Sequence, residues 1–327
     1  MMPAVGLAKK KALKILSVIL FNIKTSEYMK NNTGVVIVTY YPEINKVNRL
    51  CQMLNEAGVK PTLVDNGTLS SEYVEELSVY ANVIRLDNNY GIAHAQNIGI
   101  EFNISESKDY ILFFDQDSEI ASDYVSSIIR DIEFLEEKGE NVATLGPVFR
   151  DSRYNFYYEL IRLNKLGFRK KIKPENINGI IEVSMIISSG SIVPTRVLKD
   201  IGTMNEDFFI DYVDTEWCLR AISKGYKIFC TKNALMEHAI GDSFIKLSCF
   251  NIPVHSAFRR YYRIRNCLYF FKMNHIPLVL KCRDFLFNII HQSIIIIKVK
   301  NKKEYISSLY KGLKDGVHYL CKTDIGK

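Results

Sequence analysis

The sequence predicts an α/β fold with a largely parallel sheet that is covered by helices on both faces. Three observations lead to this prediction. Short β-branched runs alternate with segments of helical periodicity over residues 34–115. The strand-like runs are almost wholly apolar, as in parallel strands that are buried on both sides. Proline or glycine follows several of the segments and marks where each element stops.

The elements of the first half follow this pattern in order. GVVIVTYYP is the first strand, and its terminal proline ends the run. The next segment has apolar residues at helical spacing and a glycine at its end. The predicted strands are 34–42, 59–67, 82–87 and 109–115, and the predicted helices are 43–58, 70–80 and 91–104.

A second half begins near residue 142. Residues 150–178 are basic, aromatic and weakly periodic, which predicts a long loop or a helical insertion. The sequence becomes helical and rich in aromatic and basic residues from 255 onward. Between these segments we predict a strand at 180–188, a Ser-Gly turn at 188–191, a helix at 194–201, an acidic stretch at 205–225 and two short strands at 226–230 and 234–238.

Composition and charge exclude several classes of protein. The 327 residues are 47% hydrophobic and 24% charged, which supports a full core and argues against wholesale disorder. The seven cysteines lack CxxC or zinc-finger spacing, so neither a disulfide framework nor a structural zinc site is predicted. The net charge is +7, yet no nucleic-acid-binding motif accompanies the basic residues, and we predict no nucleic-acid partner.

The N-terminus imitates a signal peptide without completing one. A basic start precedes the apolar stretch Ala12 to Ile23, but Lys14 interrupts it and no small-residue cleavage site follows. The stretch is shorter than the ~20 apolar residues that span a bilayer. We therefore expect residues 1–33 to be an extension outside the core, with an amphipathic interfacial helix as an alternative.

Polar residues follow each predicted strand, where the ligands of such sheets bind. The segment LFFDQDSEI places Asp115 and Asp117 directly after an apolar strand. One such acid would be explained by a helix cap or by solvation. Two carboxylates at this spacing in a loop can face one hard cation such as Mg²⁺. A cation there would neutralise a diphosphate held at the same edge.

The segment DNNYGIAHAQNIGI starts a helix at this edge. Gly91, Ala93 and Ala95 are small enough for the helix to approach a ligand, and its first N–H groups suit an anion. Tight packing of the helix on the sheet explains the same small residues equally well.

The segment FFIDYVDTEWCLRA joins three acids to four aromatic residues. Helical spacing after residue 215 places Asp214 near a helix N-terminus, either as a cap or as a general base for an incoming hydroxyl. Trp217, the single tryptophan, is predicted either as a platform for a sugar ring or as a core residue.

Two further features are less specific. His238 ends a predicted strand and is either a core residue or a ligand of a metal or phosphate. Arginines 259, 260, 263 and 265 flank two tyrosines, which favours contact with a diphosphate or with anionic lipid head groups.

Together these segments resemble glycosyltransferase family 2, and in particular its bacterial rhamnosyltransferase branch. The resemblance runs from about residue 34 to residue 266. It implies a GT-A fold, an inverting mechanism and a divalent metal, Mg²⁺ or Mn²⁺. The segments that carry it are VVIVTYYP, VDNG, NNYGIAHAQNIGI, FFDQDS, SSGSIVP, FFIDYVDTEWCLRA, EHAIGD and FRRYYRIRN.

The resemblance also implies a role for each candidate residue. Asp214 would be the catalytic base, and the metal ligands would be Asp117 and His238. Many relatives have Glu-Asp where this chain has Val213-Asp214, so the first acid of that pair is replaced here. The implied nucleotide-sugar residues are Thr39, Tyr41, Asp65, Asn66, Gly91, Asn97, Asp115 and Gln116; the acceptor residues are Ser189, Gly190, Asp211, Glu216 and Trp217; the diphosphate residues are Arg259 and Arg263.

The domain organisation follows from the same reasoning. After the extension 1–33 we predict a GT-A domain at 34–250, divided into a nucleotide-sugar half at 34–120 and an acceptor half at 142–250. Residues 251–327 form a C-terminal helical region that either attaches to an anionic membrane or packs on the catalytic domain or a second copy.

The expected function is transfer of L-rhamnose from dTDP-rhamnose to a saccharide acceptor, lipid-linked, in cell-surface polysaccharide or O-antigen synthesis on the inner face of the plasma membrane. Alternatives are transfer of another sugar, such as galactofuranose or glucose, and a non-catalytic scaffold. A nucleotidylyltransferase is disfavoured because the loop TYYPEI lacks the glycines of that class.

Overall fold

The structure is a computed structural model that describes residues 29–151, 156–237, 243–247 and 250–322, with the backbone alone at 243–247 and 250–253. The strands are β1 Thr33–Thr39, β2 Thr62–Asp65, β3 Asn82–Arg85, β4 Tyr110–Asp115, β5 Glu119–Ile120, β6 Val142–Asp151, β7 Phe156–Tyr157, β8 Leu160–Leu163, β9 Arg169–Ile172, β10 Ile180–Val183, β11 Ile192–Pro194, β12 Lys227–Glu237, β13 Ser243–Leu247 and β14 Phe250–Val254. The helices are α1 Ile44–Glu56, α2 Ser71–Ser78, α3 Ile92–Ser105, α4 Tyr124–Glu137, α5 Thr195–Ile201, α6 Val213–Ser223, α7 Ala257–Tyr269, α8 Leu278–Lys298 and α9 Lys302–Cys321.

One mixed sheet forms the centre of the described chain. Its main strand order is β10-β12-β6-β11-β4-β1-β2-β3. The predicted first half is confirmed, because β4, β1, β2 and β3 are neighbours and run parallel. The short β11 joins the halves by pairing antiparallel to both β4 and β6. The carboxyl ends of β1, β2 and β4 therefore meet at one edge, as the sequence predicts.

Helices cover both faces of the sheet. Val35 and Ile37 of β1 pack in one apolar cluster with residues of α1, α2 and α4. Val36, between them, packs in a second cluster with residues of α3, α5 and α6. Alternate side chains of one strand are thus buried on opposite faces, which explains why residues 34–38, between the two threonines, are all apolar.

Residues 150–178 differ from the predicted loop or helical insertion. The chain forms a β-hairpin of β8 and β9. The turn is built on Asn164, whose Oδ1 accepts hydrogen bonds from the N–H groups of Leu166 and Phe168. Each strand is only four residues long, so its alternation is too short to give a clear periodic signal.

The two short strands predicted at 226–230 and 234–238 are one strand, β12, which ends at Glu237. Its pairing with β6 is interrupted between Thr231 and Leu235. The polar residues at this irregularity explain why the sequence predicts two strands, although the structure forms one strand that continues through it.

Two structural features lie across the predicted domain boundaries. Met29 is buried in the core and accepts a hydrogen bond from Thr33, so the core begins before residue 34. At the other end, the β13–β14 hairpin crosses the predicted boundary at 250. Residues 1–28 lie outside the described part of the chain.

The C-terminal helices pack closely on one another. On α9, a Cβ at Gly312 would lie 2.9 Å from the Tyr261 carbonyl oxygen, and one at Gly316 would lie 2.4 Å from a Leu268 methyl carbon. Glycine at these two positions therefore allows α9 to contact α7 directly. None of the helices in the described residues is both long and apolar enough to cross a membrane.

Candidate active site

A cavity of about 1000 Å³ opens at the carboxyl edge of the sheet, between the strand ends and the C-terminal helices. Its floor comes from the ends of β1 and β4, and its opposite wall comes from α7 and α8. The polar and charged residues that line it are Tyr40, Asn66, Asn89, Asp115, Gln116, Asp117, Arg169, Ser188, Ser189, Asp211, Tyr212, Asp214, Thr215, His255, Ser256, Arg259, Arg263, Arg283, Asp284, Asn288 and His291.

The turn after β4 carries the two acids of LFFDQDSEI, and both line the cavity. The Asp115 N–H donates to the Ser189 hydroxyl at 3.1 Å. The side-chain oxygen Oε1 of Gln116 accepts a hydrogen bond from the Tyr40 N–H at 2.7 Å and so connects the ends of β1 and β4. Asp117 is exposed at the cavity surface. The turn is therefore fixed from both sides while the Asp117 carboxylate remains accessible.

The end of β2 supports the cavity from below. Asp65 is fully buried and accepts hydrogen bonds from Thr39, from the Thr68 hydroxyl and from the N–H groups of Thr68 and Leu69. In this arrangement Thr39 and Asp65 fix the loop that carries Asn66 and do not reach the cavity. Tyr41, the third predicted nucleotide residue of this group, is 74% exposed outside it.

Gly91 marks a close approach between the start of α3 and the loop before α6. Its φ is +89°, and a Cβ there would lie 2.6 Å from the Phe209 carbonyl oxygen. The same carbonyl accepts the Ile92 N–H at 2.7 Å. Asn66 adds a bond from its amide to the Gly91 carbonyl. No side chain larger than hydrogen fits between these segments, so this position of the cavity lining requires a glycine.

The loop before α6 has strained backbone. Phe209, Asp211 and Tyr212 all have φ between +59° and +69°, which is unfavourable for residues with a Cβ. Asn266 on α7 holds the loop in this conformation. Its side-chain amide lies 2.8 to 3.0 Å from the carbonyl oxygens of Phe208, Ile210 and Asp211.

Asp214 lies in the first turn of α6, confirming its predicted place at a helix N-terminus, and it lines the cavity. It is not the N-cap, because Tyr212 occupies that position. Burial raises the pKa of its carboxyl to about 7, although hydrogen bonds from Ser188 oppose the rise, and the negative charge of Asp115 adds to it. A carboxyl with this pKa is suited to accept a proton near neutral pH.

Asp211, three residues earlier, has the opposite environment. Its side chain is 6% exposed and accepts hydrogen bonds from Arg259 at 3.0 Å and Arg263 at 3.1 Å. Burial alone would raise its pKa, but the two guanidinium groups more than offset that effect and lower it. The two predicted diphosphate arginines line the cavity and are already paired with this acid.

A second arginine–aspartate group extends the helical wall, and the sequence analysis did not find it. Arg169 of β9 contacts both carboxylate oxygens of Asp284 on α8, at 2.9 and 2.8 Å. Arg283 contacts the same acid at 2.8 Å. Arg169 and Asp284 are 115 positions apart in sequence, and no local pattern links the hairpin that carries Arg169 to α8.

Besides Thr39, Asp65 and Tyr41, four further predicted site residues do not line the cavity. Glu216 faces away from it, paired with Arg220 at 2.9 Å and His275 at 3.0 Å. Trp217 is 2% exposed and donates to the Gly202 carbonyl oxygen, so it is the core residue of the two alternatives. Asn97 bonds to Met204 and Glu206, and Gly190 is buried against Tyr124. All four residues are buried outside the cavity lining.

The residues present suit a metal that completes its coordination with ligand oxygens. The described residues contain no group of three or more His, Cys, Asp or Glu side chains that could hold an ion alone. Asp117 and its neighbour Asp115 offer carboxylate oxygens at the cavity edge, as at sites where Mg²⁺ binds one or two carboxylates and substrate phosphates. His238, the other predicted ligand, lies outside the described residues.

A mixed sheet with paired acids at its carboxyl edge, a half-buried aspartate in the first turn of a helix and a cationic wall is typical of GT-A glycosyltransferases. Comparison with known proteins agrees. The sequence model of "Glycosyl transferase family 2" matches residues 35–202. The dTDP-rhamnosyl transferase RfbF of Shigella flexneri is 39% identical over 292 residues, which are 88% of this chain and 96% of that relative. The chain belongs to glycosyl transferase family 2 and is a glycosyltransferase.

Solved structures show the same fold at low sequence identity. S. aureus TarS 1–349 in complex with UDP-GlcNAc superposes with a TM-score of 0.51 at 15% identity, over 88% of this chain and 81% of that one. GalNAc-T7 with UDP, GalNAc and Mn²⁺ also gives 0.51, at 12% identity, over 88% of this chain and 57% of that one. The predicted GT-A fold with a C-terminal helical segment is confirmed.

Proposed function

We propose that the protein is an inverting, metal-dependent glycosyltransferase that moves L-rhamnose from dTDP-rhamnose to a saccharide acceptor. The donor is inferred from the rhamnosyl transferase that shares 39% of its residues over 88% of the chain. The observation that carries the chemistry is Asp214. Its half-buried carboxyl lines the cavity, and desolvation raises its pKa to about 7.

The proposed reaction is a single displacement. The acceptor oxygen attacks the anomeric carbon of the sugar, and Asp214 takes the hydroxyl proton. The new carbon–oxygen bond forms as the bond from the anomeric carbon to the phosphate oxygen breaks, and the nucleoside diphosphate leaves with that electron pair. Attack and departure on opposite faces invert the anomeric centre.

The charge of the leaving diphosphate needs cationic partners. We assign Asp117 as the ligand of Mg²⁺ or Mn²⁺, which when bound would neutralise the diphosphate oxygens. Arg259 and Arg263 line the opposite wall with side chains 36% and 30% exposed, so they can contact phosphate while still paired with Asp211. Asn66, Gly91 and Asp115 line the cavity at the sheet edge, where we place the nucleotide sugar.

A donor screen with the purified full chain tests this function. dTDP-rhamnose is compared with UDP- and GDP-linked sugars, with and without EDTA, and release of the nucleoside diphosphate is measured. We expect turnover with dTDP-rhamnose alone, lost in EDTA and restored by Mg²⁺ or Mn²⁺. Turnover of UDP-galactofuranose or UDP-glucose instead would reassign the sugar, and indifference to EDTA would remove the metal role from Asp117. No hydrolysis or transfer with any donor and acceptor would favour the scaffold alternative.

We also propose that the acceptor is lipid-linked and that the protein works at the inner face of the plasma membrane in polysaccharide or O-antigen synthesis. The support is the apolar face of α8, where Leu286, Ile290 and Ile297 are 60%, 48% and 69% exposed. Phe287, 60% exposed, belongs to this face and also lines the cavity. Such a face, with lysines at 298, 300, 302 and 303 beside it, suits an anionic bilayer surface.

Sedimentation with vesicles tests the membrane contact. Binding to vesicles that contain anionic phosphatidylglycerol should exceed binding to neutral phosphatidylcholine vesicles and should weaken with salt. Ile290→Glu with Ile297→Glu should reduce it, whereas Val79→Glu, at an apolar position of similar exposure near the end of α2, should not. Equal sedimentation of all variants would reject α8 as the contact.

A further inference from the structure

Gln96 is a buried amide that contacts the hydrogen-bonding partner of Asp214 from outside the cavity. It lies on α3 and is 3% exposed. Its Nε2 donates to the Ser188 hydroxyl oxygen at 2.9 Å. Ser188 and Asp214 both line the cavity, and the hydroxyl and backbone N–H of Ser188 stabilise the ionised Asp214 carboxylate, which lowers its pKa. The three residues come from three separate segments that meet at the sheet edge.

We propose that Gln96 is a positioning residue for the general base: it fixes the Ser188 hydroxyl so that its proton points at Asp214. The proposal rests on the proposed function, in which Asp214 takes the acceptor proton. A serine hydroxyl has one proton to donate and rotates freely unless another bond orients it. With Gln96 donating to the Ser188 oxygen, that proton is directed to the carboxylate, which itself cannot donate when ionised.

Gln96 is held rigidly enough to do this. A Cβ at Gly99, three residues along α3, would lie 2.5 Å from a Val36 methyl carbon, so the helix packs directly on β1. Asn103, seven residues along, bonds to the Gly99 carbonyl at 2.8 Å and to Thr62 of β2 at 3.3 Å. The position of Gln96 relative to the strand ends is therefore set by the sheet and not by the ligand.

The oxygen atom of the Gln96 amide suits the state in which Asp214 is protonated. Among the described residues, the Gln96 Oε1 is buried and has no hydrogen-bond partner. Once Asp214 has taken a proton, its carboxyl can donate to the Ser188 oxygen, and the serine proton then needs another acceptor. Rotation of the amide would bring Oε1 to that position, so a glutamine can satisfy Ser188 both before and after proton transfer.

The test compares Gln96→Met and Ser188→Ala, alone and together, in the full chain. Gln96→Met keeps the volume and removes the N–H donor. We expect kcat to fall about tenfold with the KM of donor and acceptor unchanged within twofold, since one orienting hydrogen bond to the serine is lost. We expect the double variant to be no slower than Ser188→Ala, because both changes remove the same bond.

Gln96→Glu sharpens the result. Its ionised carboxylate accepts the serine proton and turns it away from Asp214, so kcat should fall further than in Gln96→Met. The matched control is Gln292→Met, the same change at a buried glutamine of α8 that is outside the cavity lining and bonds to Arg260 and to the Tyr305 carbonyl. This control should lower the thermal unfolding midpoint and leave both kcat and KM unchanged. Should Gln96→Met not fold, Gln96→Asn, too short to reach Ser188, takes its place.

Three outcomes overturn the proposal: unchanged kcat in Gln96→Met, a raised KM with normal kcat, or additive losses in the double variant. Failure of the proposed function is a separate result. It would appear as normal transfer by Asp214→Asn, whatever the Gln96 variants do.

Discussion

Two aspartates that line the cavity have opposite pKa shifts, because the two walls of the cavity differ in charge. At the sheet edge, Asp214 is half-buried near the negative charge of Asp115, and desolvation raises its pKa to about 7. On the helical wall, Asp211 is buried between Arg259 and Arg263, and its pKa is lowered. The two carboxylates are three residues apart in sequence. The charge of the neighbouring wall, and not burial alone, decides whether a buried acid holds a proton.

The difference separates a structural acid from a reactive one. Asp211 has its oxygens occupied by two guanidinium groups and ties α7 to the strained loop. Asp214 has hydrogen bonds from Ser188 and, among the described residues, no ion pair with an arginine, so a proton added to it removes an unfavourable desolvated charge. The guanidinium groups of the helical wall therefore stabilise the ionised form of Asp211, whereas the raised pKa of Asp214 is what its proposed role as general base requires.

Replacing the reactive acid should have the largest effect. Asp214→Asn removes the proton acceptor and should lower kcat for transfer by about 10²–10⁴-fold, with donor binding within a few-fold. Transfer is measured with dTDP-rhamnose and an acceptor, and donor binding by calorimetry. Asp207→Asn, an exposed acid outside the cavity lining, is the control and should keep normal activity. Normal transfer by Asp214→Asn would reject the assignment of the base.

Replacing the structural acid should instead affect stability. Asp211→Asn leaves two arginines without their buried partner and should lower the free energy of unfolding by about 3 kcal/mol at neutral pH. Because the folded pKa of Asp211 is lowered, this stabilisation is present above its unfolded value and is lost as pH falls through the folded value. Urea unfolding at pH 7 and pH 3 measures both. A variant as stable as the wild type at pH 7 would show that the ion pairs contribute nothing.

The raised pKa of the base should appear in the pH profile. Only the ionised Asp214 accepts a proton, so kcat/KM should fall about tenfold per pH unit below pH 7 and level off above it. The profile is measured with saturating metal, because metal affinity is itself pH-dependent. An acid limb centred near pH 4 would mean that Asp214 does not carry the raised pKa.

The same shift should make the ionised Asp214 destabilising. A folded pKa above the unfolded value means that stability falls as pH rises from about 4 to about 7. Each unit of pKa shift corresponds to about 1.4 kcal/mol, so Asp214→Asn should be more stable than the wild type at pH 8, by up to about 4 kcal/mol, and equal to it near pH 4. Thermal unfolding at the two pH values measures the difference. A variant less stable at pH 8 would show that the ionised carboxylate is well accommodated.

Much of this site was predictable because it depends on local sequence. Apolar runs that end in acids, as at Asp115 and Asp117, identify the carboxyl edge of a parallel sheet without any structure. Asp214 was found because a helical period began just after it. Glu216 and Trp217 share that period, yet they face the core, because spacing gives the existence of a helix and not the direction of its buried face.

The helical wall was harder to predict because its partners are distant in the chain. Arg169 and Asp284 meet only because a hairpin folds towards α8, and no local pattern in either segment indicates the other. Likewise, Arg259 and Asp211 are each predicted from the sequence as a separate ligand contact, whereas in the structure they form an ion pair with each other. Ion pairs between residues that are distant in sequence can be identified only once the fold is known.

The amide of Asn266 has a consequence for recombining enzymes of this family. It fixes the carbonyl groups of the loop that precedes Asp214, so the C-terminal helices shape the catalytic segment from outside the region matched by the family model. A chimera that takes its first 250 residues from this chain and its helices from a relative would need an amide at this position, together with partners for Asp211 and for Arg169. The exchangeable unit for engineering is the catalytic half with its helices, not the family domain alone.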